Sequence, residues 1–352
     1  MTDTYIKSVA TANPARYVTQ NFVLEFLRNN FPLSPSQDSL YEKILSGSAI
    51  RGRYFALDYD EQICLQNPDE QNARFLKFAR QIAVQAARKA IHNASLAPAN
   101  IKGLVVNTCT GYLCPGLSSY IIEDLGLASS TEVFDIMGMG CGAAIPNLRC
   151  ASSLAKSGCD NVLSIAVEIC SATLFMGDDP ELVVSNCIFG DGAAAAILSS
   201  SHSGPTPNIK LIDFESQVMP KHREQLRYRM QDGRLRNVLS IRVPVIAANA
   251  VAEVTARLLA QNNIQRENID HWVLHPGGTA ILKQVQEKLQ LPSEKLAASH
   301  KVLSEYGNMS SPSVLFVLSE LLKSAEARPG EKIVLSAFGA GFSAYAALAE
   351  LT

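Results

Sequence analysis

The chain has 352 residues, 47% of them hydrophobic and 18% charged, and a formal net charge of -2. This is the composition of a folded globular protein with room for two domain-sized units. A charge so close to zero argues against nucleic acid and against an anionic membrane surface as partner.

The opening stretch, MTDTYIKSVATANP, is mixed and polar, which predicts no secretory leader. No apolar run reaches the roughly 18 residues that a membrane span needs. An amphipathic helix is predicted around Phe75 to His92, followed by a short apolar strand from Gly103 to Asn107. A β-rich run, Thr131 to Met137, stops at Gly138-Met139-Gly140. Cys141 stands there, where the pattern changes: Ala144, Leu148, Ala151 and Ala155 repeat at helix spacing and Gly158 closes the segment. The next strand is Asn161 to Val167. Phe189-Gly190-Asp191-Gly192 then reads either as a plain Asp-Gly turn or as a shaped piece of a site, leading into a strand of four alanines. Ser199 to Asn208 (SSSHSGPTPN) reads as a linker. Beyond it come an amphipathic helix from Val245 to Asn262, a strand from His271 to His275, a glycine turn with Asn308, and a strand from Lys332 to Ala337.

One pattern is used twice. The first short strand ends about 34 residues before Cys141, and the strand ending at His275 precedes Asn308 by about 33. A duplicated α/β unit is therefore expected, with halves 1–204 and 205–352 whose corresponding turns converge on one site.

The eight cysteines contain no C-x-x-C pair and mostly lie in apolar runs, which predicts reduced thiols in a cytoplasmic protein. The six histidines do not join them at ligand spacing, so no metal is expected. Cys141 at a strand-to-helix corner lies at a helix N-terminus, where the dipole favours thiolate; a lone cysteine is more often a small buried core residue, and the context reverses that balance here. His275 (VLHPGG) and Asn308 (YGNMSS) occupy equivalent glycine-flanked corners. Asn308-Met309-Ser310 matches a glycosylation sequon, set aside because nothing points to secretion. Together the three have a chemical logic: Cys141 holds an acyl group from a thioester, His275 assists the thiol, and Asn308 with His275 holds an enolate oxygen.

Four motifs in order, GMGCGAA around Cys141, FGDGAAA from Phe189, VLHPGG around His275 and YGNMSSPS around Asn308, make the whole chain resemble the type III polyketide synthases, the chalcone synthase-like family. The resemblance implies a thiolase-like fold of two mixed-sheet α/β units in a layered α-β-α-β-α arrangement. It implies a Cys141, His275, Asn308 triad, decarboxylative Claisen condensation of acyl-CoA starters with malonyl-CoA, no cofactor and a homodimer. By the same resemblance, Phe189 orients malonyl, and Arg51 and Arg53 meet the CoA phosphates, a stretch that otherwise reads as a solvated basic loop. Thr110, Cys170, Thr173 and Ser310 line the cavity of the growing chain, and Cys114 crosses the dimer interface.

Departures point to a bacterial type. Ile241 stands where a second aromatic gate is expected, Cys170 where plant members carry threonine, and the C-terminal loop reads Ala337-Phe338-Gly339-Ala340-Gly341. An aliphatic gate favours a medium- or long-chain fatty acyl starter and alkylresorcinol or alkylpyrone products. Among rivals, a thiolase needs a second cysteine in that glycine loop, and hydroxymethylglutaryl-CoA synthase a glutamate beside the nucleophile. An initiating ketoacyl carrier-protein synthase shares the triad but usually continues His-Gln-Ala-Asn, where His275 is followed by Pro276-Gly277-Gly278. From another class, a Cys-His-Asn thioester hydrolase would release free acid without extension, and a non-catalytic binding protein would have no need of all three residues.

Overall fold

The apolar runs Gly103–Thr108, Val162–Ile169 and Asp191–Ser199 are buried along their whole length, as strands covered on both faces must be. The computed structural model describes residues 3–202, 208–324 and 327–352. The expected boundary between residues 204 and 205 lies outside the described residues, as does the middle of the linker.

The chain opens with β1 (Thr4–Ala12), β2 (Arg16–Thr19) and β3 (Gly52–Phe55), then β4 (Gly103–Thr108), β5 (Glu132–Met137), β6 (Val162–Ile169) and β7 (Asp191–Ser199). After the linker come β8 (Ile209–Val218), β9 (Leu226–Gln231) and β10 (Arg234–Leu239). The chain closes with β11 (His271–Leu274), β12 (Lys332–Gly339) and β13 (Ser343–Leu351). The main sheet runs β11-β12-β13-β8-β1-β7-β6-β4-β5, with β2–β3 and β9–β10 as separate ribbons. Both halves use the same pairing. β4 lies parallel to β6 and β6 antiparallel to β7; β11 lies parallel to β12 and β12 antiparallel to β13. A short pairing of Thr4–Ile6 with Ile209–Leu211 joins the two half-sheets.

Helices make the remaining layers. The helix Pro68–Asn93 covers the first half-sheet with Phe75, Phe78 and Ile82, and the helices Val243–Gln261 and Thr279–Leu289 cover the second. Between the half-sheets lie the helices Ala144–Lys156 and Ser313–Lys323, whose apolar residues share one core with strands of both halves. Each large apolar side chain so buried contributes about 1.5–3 kcal/mol. This is the layered arrangement that the resemblance implied.

The helix Val243–Gln261 is long and apolar enough, by length and composition, to cross a membrane, which the sequence reading did not anticipate. It is a core helix: Val243, Ala247, Val251, Val254 and Leu258 are buried, while Glu253 and Arg257 form an ion pair at 3.0 Å on its other side. Asp191 is likewise no plain turn residue. It starts β7, and its carboxylate accepts hydrogen bonds from the Ala56 N–H at 2.6 Å and the Ser171 N–H at 2.8 Å.

Candidate active site

Glycine sets the corner that holds Cys141. β5 ends at Met137, Gly138 and Gly140 take φ values of +79° and +61°, and one 3-10 turn, Gly140–Gly142, leads into the helix Ala144–Lys156. Side chains are costly at such angles. The end of β12 crosses this corner backbone to backbone: a Cβ on Gly140 would stand 2.9 Å from the Ala340 nitrogen, and one on Gly339 2.6 Å from the Gly142 nitrogen.

His275 directly follows β11. Its backbone N–H donates to the Ser336 carbonyl at 2.9 Å, and its ring meets Phe338 edge-on with centroids 5.3 Å apart. Neither ring nitrogen has a hydrogen-bond partner among the described residues. Asn308 is tied on three sides. Its N–H donates to the Ile188 carbonyl at 2.9 Å, its carbonyl accepts from the Gly190 N–H at 2.9 Å, and its Oδ1 accepts from the Ser310 N–H at 2.8 Å. The side-chain amide is thereby aimed: Nδ2 donates to the Gly277 carbonyl at 3.2 Å, two residues from His275, and the amide also lies against the Cys141 sulfur.

Burial pushes the Cys141 thiol up to about 11; the Ser310 hydroxyl and Asn308 amide oppose the rise and the buried Glu168 adds to it. Burial alone pushes His275 down to about 3. Burial thus favours the neutral form of each group, thiol and imidazole, against the pull towards thiolate expected from the corner. Desolvation of a buried sulfur outweighs the pull of one helix end.

A cavity of about 670 Å³ opens beside Cys141, lined among others by Thr110, Thr173, Phe189 and Ser310. Cys170 packs against Cys141 and Phe189 but is not itself among the residues that line this cavity. Two further expectations fail here. Ile241 is 88% exposed and does not line the cavity; the strand position that packs on Cys141, Cys170 and Phe189 is Leu239. Arg53 is fully buried, donating from Nη1 to the Asn186 and Phe189 carbonyls at 2.8 and 2.7 Å and from Nε to Gln20 at 3.1 Å. It props the backbone behind Phe189 and cannot reach a solvent-borne phosphate. Arg51 does face solvent, its Nη2 3.0 Å from Glu305. Cys114 is exposed and outside the cavity lining of a single chain, although Gly111 and Tyr112 belong to it.

Other residues of the site went unread. Glu168 is fully buried in β6 and gathers donors from both halves. The Thr110 hydroxyl donates to it at 2.8 Å, the Cys109 N–H at 2.9 Å and the Ser311 hydroxyl at 2.7 Å. Its signal was a lone carboxylate inside the apolar strand VLSIAVEI, a position that burial makes costly unless donors converge. Tyr228 lines the cavity and shares a 3.2 Å hydroxyl contact with Thr173, but its ribbon carries no motif that marks it.

Residues 8–214 match the family described as FAE1/type III polyketide synthase-like protein, and residues 211–348 the C-terminal domain of chalcone and stilbene synthases. The chain belongs to the type III polyketide synthase family. As such it is an acyltransferase that works on CoA thioesters by Claisen condensation with malonyl-CoA and needs no resident cofactor. It is 30% identical to the alpha-pyrone synthesis polyketide synthase-like protein of Mycobacterium tuberculosis, over 96% of this chain and 88% of that one. It is also 30% identical to the phloroglucinol synthase of Pseudomonas fluorescens, over 96% of this chain and 97% of that one. Among solved structures, PKS-I of the brown alga Ectocarpus siliculosus superposes with a TM-score of 0.89 at 29% identity, covering 100% of this chain and 99% of that one.

Proposed function

We propose that Cys141 carries the growing acyl chain, with His275 and Asn308 as its partners. The observation that carries this reading is the pair of unpartnered ring nitrogens on neutral, buried His275 together with an Asn308 amide aimed beside the Cys141 sulfur. His275 takes the thiol proton as the sulfur attacks the starter thioester; the carbon–sulfur bond to CoA breaks, and CoA leaves as its thiol with that proton. Malonyl-CoA then loses carbon dioxide, and the Asn308 amide and a His275 N–H hold the enolate oxygen. The enolate carbon attacks the Cys141 thioester, a carbon–carbon bond forms, and the sulfur is released. Phe189 orients malonyl, Thr110, Thr173 and Ser310 shape the cavity, and Arg51 meets the CoA phosphates.

For the starter we propose a medium- or long-chain fatty acyl-CoA, giving alkylresorcinols or alkylpyrones. Support comes from aliphatic Leu239 against the nucleophile's wall and from a cavity in the range that holds sizeable ligands. Burial of each methylene contributes about 0.8 kcal/mol, so several outweigh a ring stack of roughly 1 kcal/mol. The name of the mycobacterial relative, alpha-pyrone synthesis, points the same way. A cytoplasmic setting fits the eight free cysteines. A twofold homodimer fits the unpaired edge of β5, which exposes Val133, Phe134 and Met137.

The test pairs two measurements. Mass spectrometry should find acyl groups on Cys141 and none anywhere in Cys141→Ala. With the wild type, kcat/KM should be higher for octanoyl- or palmitoyl-CoA than for acetyl- or coumaroyl-CoA; the reverse order defeats the starter assignment, and loading that survives in Cys141→Ala defeats the nucleophile.

A further inference from the structure

From Leu239, in the wall around Cys141, to Ile241 the chain advances two residues, at most about 7 Å. In that step it passes from the nucleophile's surroundings to open surface. Ile241, at 88%, is the most exposed large hydrophobic residue among those described. It does not stand alone. Val245, one helical turn further on, is 55% exposed, and Val218, at the end of β8, is 61% exposed. The short 3-10 segment Pro220–Gln225, which follows Val218 by one residue, is tied to the residue before Ile241, since the Ser240 N–H donates to the Gln225 carbonyl at 2.9 Å and β10 pairs Leu239 with Leu226.

This apolar patch carries a basic fringe. Lys221, Arg223 and Arg242 are all exposed, and none of them forms an ion pair among the described residues. Glu224, the one acid of the segment, is already engaged with Arg227 at 3.2 Å. A chain with net charge -2 thus has an unneutralised positive corner, wrapped around exposed aliphatic side chains, beside the wall of its acyl-accepting cysteine. An apolar centre with a charged rim of one sign is how a protein surface recognises a partner of the opposite sign. The phosphates of a free CoA would use the cations and leave the three aliphatic side chains in water.

We infer that this corner docks an acidic acyl carrier domain, which delivers a starter on its phosphopantetheine thiol to Cys141. The inference rests on the reading of Cys141 as acyl acceptor. The transfer is a thioester exchange: the Cys141 sulfur bonds to the acyl carbon, the bond to the pantetheine sulfur breaks, and the carrier leaves as its free thiol with the proton from Cys141. The occupant is a protein because the apolar residues need a partner surface, and acidic because the rim is basic.

The experiment offers the enzyme octanoyl groups on a fatty-acid carrier protein or on CoA and follows acylation of Cys141 by mass spectrometry. Three proteins are compared: wild type, Arg223→Glu with Arg242→Glu, and Ile241→Asp. The expected result is wild-type acylation from both donors, with transfer from the carrier reduced about tenfold or more in both variants and transfer from CoA changed less than about twofold. Acylation from CoA but not from the carrier overturns the inference and leaves the nucleophile assignment intact. Equal losses from both donors also overturn it and make the corner a CoA-phosphate site. Binding of the wild type to phosphatidylglycerol vesicles that the variants lose, without carrier transfer, overturns it in favour of a lipid surface. Failure of Cys141 to accept an acyl group from either donor removes the nucleophile assignment and this inference together.

Discussion

At the scale of single residues the site is governed by desolvation. His275 is neutral because burial holds its pKa near 3, far below the ordinary 6.5. A group with a depressed pKa contributes stability above its unfolded value and loses it as pH falls towards the folded one. Acid should therefore weaken the fold progressively below about pH 6.5, and part of that loss should vanish in His275→Gln. Urea midpoints at pH 7 and pH 4.5 test this: the wild type should fall further between the two than the variant. Asn308 allows a sharper test of chemistry, because three backbone ties leave its amide one direction to point. Asn308→Ala should lose malonyl-CoA decarboxylation about 100- to 1,000-fold while Cys141 still accepts an acyl group. Decarboxylation at the wild-type rate contradicts the assigned role.

Elements hold these residues through close backbone crossings rather than large contacts. The turn bearing Cys141 and the loop after β12 meet where glycines leave no room for a Cβ. Gly140→Ala adds a methyl 2.9 Å from the Ala340 nitrogen at a φ of +61°. It should cost about 1–3 kcal/mol of stability and displace the nucleophile. Denaturant unfolding and the rate of Cys141 acylation should both decline, whereas Gly126→Ala, also left-handed but with open space around its Cβ, should lower stability alone.

For the whole molecule, the exposed edge of β5 is the feature on which the proposed homodimer rests. Five of its six residues are exposed, Val133, Phe134 and Met137 among them, on a strand that ends the sheet, a surface that invites pairing. Light scattering at micromolar concentration should give twice the chain mass of 38.0 kDa, and Phe134→Lys should shift the protein towards the monomer. A monomer with full activity would refute the dimer and any role for Cys114 across it.

Sequence alone determined the family, the duplicated plan and the corners of Cys141, His275 and Asn308, because glycine punctuation, apolar periodicity and strand-to-turn spacing are local signals. Tertiary packing decided what local signals do not contain. Arg51 and Arg53 lie two residues apart in one basic run, yet one faces solvent and the other is sealed behind Phe189 by chain more than 130 residues away. Leu239 and Ile241 are equally apolar, yet β10 ends at Leu239, paired with Leu226 and packed near Cys141, while Ile241 lies in the turn beyond it and faces water. The protonation of Cys141 and the donors gathered on Glu168 follow the same rule. Burial is set by whatever packs over a residue from elsewhere in the chain, and a window of sequence does not see its cover.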